Sequence, residues 1–516
     1  MLFIVGLVIV LLIGAAGGYA LYLNHQVHRV AVAHFKPAPA KGPDLGTENI
    51  LMVGSTSRCA LAQQNPAYGL CSQGVTGVNS DVIMILHLNP SQRLVSVLSI
   101  PRDLFVPNAR TTGANKIDAA LYEGPSQLVA AIEEDFGIPI EHYVELNFDT
   151  FANVVNALGG VNMYFPEPVY DAYSGLDVQT PGCIHLDGFH ALQVVRARHL
   201  QYRGPGITSS DPYYWPQEAE SDLARIRRDH EFLRVLAAAV AAKGLGNPIT
   251  DAELVASVAS DLTVDNTLST SHMVNLVLTY HGINPFGTPQ LTVPVMESDV
   301  NQYDYEGGAY GNVEFPTEPQ DFDVVDQFLG VGANANTVNG EPLPDPGSVT
   351  VSILNGSGTS SAGQTAETGL HALGFDVTGL SSTSEVGSQA ETVVEYAQDT
   401  PSEEAAAQAV ARSISGQVIM ALVPTVSSSA QVTVVTGTDF AVNAPAPPPA
   451  TTTTTAPVPK KGVPTTTTTT TTTVPATTTT TTTTTTVPNF GPPSDAVQAL
   501  EPWDPRSCTA TGGEGP

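Results

Sequence analysis

The sequence predicts an α/β protein with two folded units, and three observations carry that prediction. From residue 47 to about 300, apolar strand-like runs alternate with helical patterns. From 347 to 437 the same alternation recurs in a smaller unit. From 438 onward the composition turns to threonine and proline, and a segment of that kind buries too little apolar surface to fold.

The first 23 residues, MLFIVGLVIVLLIGAAGGYALYL, are apolar almost without a break and long enough to cross a hydrocarbon core. Tyr19 and Tyr22 stand near the outer end, where interfacial aromatics gather. The segment predicts a single-pass anchor in the cell membrane, with the main body on the extracytoplasmic side; a signal peptide is the rival reading. No basic flank precedes it, whereas His25, Arg29 and Lys36 follow, which predicts a natural start further upstream. Residues 24–46 read as a Pro/Ala/Gly-bearing tether.

In the 47–300 unit, NILMVG (49–54) reads as a buried strand, and DVIMILHL (81–88) and RLVSVLSI (93–100) as a hairpin around NPSQ. Residues 126–137 and 151–160 read as helices stopped by glycine, and 222–241 as a longer helix. The Gly/Pro/Asn/Asp-bearing stretch 301–346 reads as a connector. In the 347–437 unit, VTVSILNGSG runs from strand into a glycine loop, with a helix and further strands after it. Residues 438–516 read as a disordered Thr/Pro-rich tail, of the kind that forms glycosylated stalks in exported proteins.

Cysteine use fits an oxidising compartment. Cys59 and Cys71 bracket a short loop, as a disulfide does there, with two unpaired thiols as the plain alternative. A zinc site is disfavoured because neither has a second close Cys or His. Cys183 and Cys508 are far apart in sequence and are left unpaired.

The chain has 20 Lys and Arg against 50 Asp and Glu, a formal net charge of −30, which excludes a general nucleic-acid binder. Seven of those basic residues are arginines between 196 and 234. Guanidinium is always charged and presents a planar fork that matches phosphate oxygens, so the concentration points to an anion site.

If the hairpin forms, Asp81 enters one strand where Pro101-Arg102-Asp103 leaves the other. A carboxylate then meets a guanidinium at the sheet's end, as a site edge or as a structural ion pair. On the 222–240 helix, Ile226, Leu233, Leu236 and Val240 share a stripe with Asp222 and Asp229, with Arg225 beside it. The inner face is thus charged at first and apolar afterwards, unless those first turns project into solvent. Arg227 and Arg234 point away as solvated surface, and Arg228 lies at the margin. Arg196 and Arg198, two apart in VVRARH, share a face if the segment is extended. With Arg102 and Arg225 they would clamp a diphosphate, Asp81 would hold a bridging Mg2+ (or Mn2+), and Lys116 is a further candidate. NGSGTSSAG (355–363) matches neither GxGxxG nor a P-loop, and neither HExxH nor GxSxG occurs.

In order along the chain, NILMVGSTSR, NSDVIMILHLNP, VSVLSIPRDLFVP, NKIDAAL, NFDTFANVVNALGGV, HLDGFHALQVVRARH and DLARIRRDHEFL resemble the LytR-CpsA-Psr family. The likeness covers about 47–300, and the 347–437 unit resembles the LytR C-terminal domain. The resemblance implies an α-β-α sandwich with a mixed central sheet and an apolar tunnel for lipid. It implies a membrane-anchored phosphotransferase that moves a glycopolymer from a polyprenyl-pyrophosphate carrier onto peptidoglycan, typically onto a muramoyl 6-hydroxyl. Carried over by motif, Asp81 is a magnesium ligand, Arg102, Arg196, Arg198 and Arg225 bind pyrophosphate, and Arg228 and Lys116 stand around them. Asp222 is one candidate base.

Three positions depart from the family pattern. Thr56 replaces an acid expected to help hold magnesium, Asn79 replaces an arginine, and Asp229 replaces a glutamine. They support an alternative, a non-catalytic surface protein that binds lipid-linked or wall glycopolymers. Transcriptional attenuation, suggested by older family naming, is opposed by the anchor and by the lack of a basic face.

Overall fold

The computed structural model describes residues 27–38, 45–59, 70–74, 76–219, 221–242, 262–280, 282–298, 301–382, 389–424, 430–443 and 499–508. The expected anchor at 1–23 lies outside them. Among the described residues, no helix is long and apolar enough to cross a membrane.

A seven-stranded sheet organises the first unit, in the order His28–Val30, Thr263–Asp265, His142–Leu146, Glu48–Ser55, Ser80–Asn89, Leu94–Ser99, Gln290–Thr292. It is mixed: Glu48–Ser55 runs parallel to His142–Leu146 and antiparallel to Ser80–Asn89. The expected hairpin forms, with Met84 opposite Ser99 and Asn89 opposite Leu94.

Side chains alternate along each strand, and here both sets are apolar, so both faces demand cover. Leu51, Val53, Ile83, Ile85 and Leu98 enter the main core with Leu128, Ile132 and Phe136 of helix Pro125–Phe136. That helix stops where predicted, at Gly137 with φ 62°, whose N–H donates to the Glu133 carbonyl. Met52, Leu86 and Val97 face the opposite way, toward helices Ser221–Ala242 and Thr270–Tyr280. Helices on both faces make the expected α-β-α sandwich. Helix Phe148–Ala157 begins earlier than the sequence suggested, because Asn147 accepts the Thr150 N–H and caps it.

The second unit is built on a sheet in the order Val295–Glu297, Glu314–Glu318, Ile414–Leu422, Thr392–Tyr396, Val432–Thr436, Thr350–Asn355, Asp376–Ser382. Its first two strands precede residue 347, which corrects the reading of 301–346 as a plain connector. That stretch also forms helix Gln320–Leu329, whose Val324, Val325 and Phe328 pack into the main core. The apolar spacing was present in DFDVVDQFL, but the surrounding Gly, Asn and Pro obscured it. Val393, Ile419 and Val435 join the same core, so the two units share it.

The tail is corrected at its far end. Arg506–Ser507 adds to strand Val161–Phe165, and Trp503 stacks on Tyr202 with ring centroids 3.8 Å apart. Cys508 is bonded to Cys183, and Cys59 to Cys71. The threonine runs lie outside the described residues.

Candidate functional site

The open end of the hairpin gathers the charged residues. The Ile100 N–H donates to the Ile83 carbonyl, and just beyond it Arg102 pairs with the Asp81 carboxylate. Arg102 Nε also lies 3.4 Å from Asp103 and 3.7 Å from Asp222. Asp103 holds Lys116 at 2.6 Å and Arg198 at 3.0 Å. Asp222 meets Arg198 at 3.1 Å and Arg225 at 3.0 Å. Arg225, buried, donates to the Asp81 backbone carbonyl at 2.6 Å. The side chains of Arg102, Lys116 and Arg198 keep 19%, 22% and 24% exposure, so these three line the open side of the cluster.

Burial opposes the Arg102 charge, but Asp81, Asp103 and Asp222 offset it and hold the guanidinium above its ordinary value. Burial pushes the Asp118 carboxyl up to about 6, against the pull of Arg102 and of a hydrogen bond from Asn79 at 2.9 Å. Burial also raises Asp229 to about 7, with Arg225 opposing from 4.0 Å. Glu314, from the stretch read as connector, is driven well above the usual range by burial and by Asp222 and Asp103.

The inner face of helix Ser221–Ala242 follows the predicted sequence of chemistries. Asp222, Arg225 and Asp229 stand at the ion cluster, and Leu233, Leu236 and Val240 line a cavity of about 380 Å³ between helix and sheet. Met52, Leu86 and Val97 form the opposite wall. One face therefore leads from guanidinium groups into an apolar space.

The remaining arginines divide. Arg196 is not in an extended segment; it ends helix Gly188–Arg196, and only from Ala197 does the chain extend. Its guanidinium sits 4.7 Å from the Phe148 ring centroid, with Arg58 at 5.7 Å from the same ring. Arg228, expected around the pyrophosphate, is fully buried and held by Glu218 at 2.6 Å, Asp504 at 3.4 Å and the Ala197 carbonyl at 2.5 Å. Arg227, expected in solvent, is buried against Asp504 at 2.5 Å. Arg227 departs from expectation because Asp504, from the far end of the chain, meets it, and Arg228 because Glu218 and the Ala197 carbonyl hold it, with Asp504 beyond. Arg234 is partly exposed, 3.4 Å from Glu231.

Thr56 Oγ accepts the Asn79 N–H at 2.9 Å, so the two departures from the family pattern brace each other. Asp103, Asp118, Arg58 and Glu314 join the site or adjoin it, though sequence motifs alone assign them no role. Asp103 and Asp118 are legible in PRD and NKID, beside Arg102 and Lys116. Glu314 carried no local signal.

A pH dependence follows from Asp229. Its folded value near 7 exceeds the unfolded carboxyl value, so the native state binds the extra proton and stability falls as pH rises between about 4 and 7. Asp229→Asn is expected to flatten that fall. Thermal melts in metal-free buffer should match wild type at pH 4 and exceed it by several degrees at pH 8; parallel pH curves for the two proteins contradict this origin.

A model of the LytR_cpsA_psr family matches residues 23–315, and one described as LytR cell envelope-related transcriptional attenuator matches 348–440. The chain is 33% identical over 294 residues to a probable cell wall biosynthesis protein, LcpB, of Corynebacterium glutamicum, covering 56% of this chain and 62% of the relative. It is 28% identical over 208 residues to the polyisoprenyl-teichoic acid–peptidoglycan teichoic acid transferase TagU of Bacillus cereus, covering 39% of this chain and 64% of that protein. The chain thus spans a little over three fifths of the length of these two relatives. Among solved structures, the LytR-Csp2A-Psr enzyme from Actinomyces oris aligns with TM-score 0.45 and 24% identity, over 58% of this chain and 95% of that one.

Proposed function

The chain belongs to the LytR-CpsA-Psr family, and from that premise we propose that it transfers a glycopolymer from a polyprenyl-pyrophosphate carrier to peptidoglycan in cell-wall assembly. The observation that carries the proposal is the inner face of helix Ser221–Ala242, charged at the hairpin mouth and apolar along the cavity. A ligand matching both halves is a diphosphate with a long apolar tail. The names of the TagU relatives, which couple a polyisoprenyl-linked polymer to peptidoglycan, support that choice. The segment 1–23 would anchor the enzyme beside its lipid substrate.

In the reaction, an acceptor hydroxyl oxygen bonds to the phosphorus that carries the glycan. The bond from that phosphorus to the bridging oxygen breaks, polyprenyl phosphate leaves with the electron pair, and the hydroxyl proton passes to a phosphate oxygen of the leaving group. Arg102, Arg198 and Lys116 would bind the non-bridging oxygens from the open side. Arg225, buried behind them, would position Asp81 and Asp222. The Asp222 oxygens face Arg198 and Arg225, so it braces the arginines rather than serving as the base. With a loose transition state, positioning and charge stabilisation matter more than proton removal.

The residues present fit a divalent cation. Four cations (Arg102, Lys116, Arg198, Arg225) face five carboxylates (Asp81, Asp103, Asp118, Asp222, Asp229), and both Asp229 oxygens are buried without a hydrogen-bond partner. An entering diphosphate adds further negative charge. Mg2+ (or Mn2+) would be held by Asp81, with Asp118 near, and by the substrate phosphates, since Mg2+ commonly takes one or two carboxylates and keeps waters. When bound it would neutralise charge on the transferring and leaving phosphates.

The test is incubation of the full-length chain with a polyprenyl-pyrophosphate glycan, a peptidoglycan acceptor and Mg2+. Ligated product with stoichiometric polyprenyl phosphate supports transfer. Tight binding without turnover supports the second reading, a non-catalytic glycopolymer binder, which Thr56 and Asn79 favour by removing an acid and a guanidinium from the site. The cavity has its own test. Leu236→Glu places a charge in apolar surroundings and is expected to weaken the long-chain carrier about tenfold or more. A short-chain diphosphate analogue should bind as in wild type; equal losses for both would detach the cavity from the lipid.

A further inference from the structure

The end of the sheet opposite the arginine cluster carries a second constellation of side chains. Glu48 opens the strand Glu48–Ser55, His142 opens the neighbouring strand His142–Leu146, and His272 lies in the first turn of helix Thr270–Tyr280. Ligand-capable atoms of the three lie within 4.8 Å of one another. His272 Nε2 is 2.8 Å from Glu48 Oε2, and the two imidazole rings are 5.5 Å apart. Strand geometry puts this group about 23 Å from the hairpin mouth, at the far end of the same sheet.

The surroundings are arranged as a ligand shell requires. His142 Nδ1 is turned to Asp265 Oδ2 at 3.1 Å, which leaves Nε2 as the nitrogen to coordinate. Asp265 is itself fixed, accepting from the Tyr143 N–H at 3.0 Å, the Thr267 N–H at 2.6 Å and the Leu268 N–H at 2.9 Å. A carboxylate behind a histidine sets its tautomer and orientation and strengthens it as a ligand. The side chains of His142, Glu48 and His272 are 12%, 14% and 32% exposed, which leaves an ion a route from solvent.

We propose that Glu48, His142 and His272 form a binding site for a Zn2+-class divalent cation, with the fourth position open to water. Two imidazoles and one carboxylate suit Zn2+, whereas Mg2+ and Ca2+ prefer oxygen-only shells. Opening the present Glu48–His272 contact by a few tenths of an ångström accommodates bonds of about 2.0–2.2 Å to each. Three elements distant in sequence would then be tied at one point. Two of them are neighbouring strands of the central sheet, and the third is a helix whose Val277 and Tyr280 line the apolar cavity. The bound ion would fasten that wall to the sheet. The site itself is independent of the proposed transferase activity.

The experiment uses the full-length chain without a polyhistidine tag, stripped of metal and titrated with Zn2+ against a chromophoric chelator. One equivalent is expected to bind in the presence of millimolar Mg2+ and to raise Tm. His272→Ala and Glu48→Gln are each expected to weaken binding at least about tenfold and abolish the thermal shift, and Asp265→Asn to weaken it about 10–100-fold. Asp81→Asn should retain full Zn2+ binding. Absence of a stoichiometric site, wild-type affinity in His272→Ala and Glu48→Gln, or loss in Asp81→Asn alone overturns the assignment. Should His272→Ala prove unfolded by circular dichroism, Glu48→Gln carries the same test from a separate element.

Discussion

Arg102→Ala is expected to lower glycopolymer transfer about 100- to 1,000-fold, the range for removing one preorganised donor to developing transition-state charge. Arg102 stands where three carboxylates meet: it pairs with Asp81 and approaches Asp103 and Asp222. Its loss removes a fork of donors from the open side and leaves the acids less compensated. The side chain is 19% exposed, and its neighbours Arg198 and Arg225 still hold Asp103 and Asp222. The fold should therefore survive, with Tm within a few degrees of wild type. Arg102→Lys keeps the charge but not the planar fork, and is expected to recover only part of the rate. The measurement is product formation and polyprenyl phosphate release at saturating carrier, beside carrier affinity. Wild-type turnover in Arg102→Ala would remove the hairpin mouth from the mechanism.

Asp504→Ala is expected to have the largest effect on stability, about 3–5 kcal/mol, because it leaves buried guanidinium groups under-paired. Asp504 is fully buried, 2.5 Å from Arg227 Nε and 3.4 Å from Arg228 Nη1. Arg228 keeps Glu218, but among the described residues the acid left to Arg227 is the same Glu218, at 3.9 Å. Asp504→Asn should cost less, since its oxygen still accepts from Arg227 and from the Glu501 N–H. The paired change Arg227→Met with Asp504→Leu should recover much of the loss, because removing both charges removes the desolvation penalty. Denaturant melts measure all three. Cys508→Ser is the companion: it cuts the covalent tie to Cys183 and leaves the ion cluster in place. If Asp504→Ala melts with wild type, the ion pairs of Asp504 contribute nothing to stability.

Legibility followed the range of the interaction. The hairpin was readable because a four-residue turn joins its strands, and its register brings Asp81 to Arg102 without reference to the rest of the chain. The inner face of helix Ser221–Ala242 was readable because spacings of three and four residues define it. The helix Gln320–Leu329 had the same spacing and was missed among turn-forming neighbours. Arg196 and Arg198 do not share an extended face, because the first half of VVRARH completes a helix with Asp187 as cap. Glu314 and the Glu48, His142, His272 group could not be found from sequence, since their members come from elements that meet only in the folded sheet.

By itself the sequence determined two α/β units, a guanidinium beside a carboxylate at one strand end, and a helix face that changes from charged to apolar. All are consequences of local periodicity. The tertiary structure decided which arginines remain accessible to a ligand. Helical spacing turns Arg227 to solvent and leaves Arg228 at the margin, yet both are buried: Asp504, 276 residues beyond Arg228, meets both, and Glu218 holds Arg228. A buried charge is assigned by whatever counter-charge the fold brings to it, and that is decided by contacts no local pattern encodes.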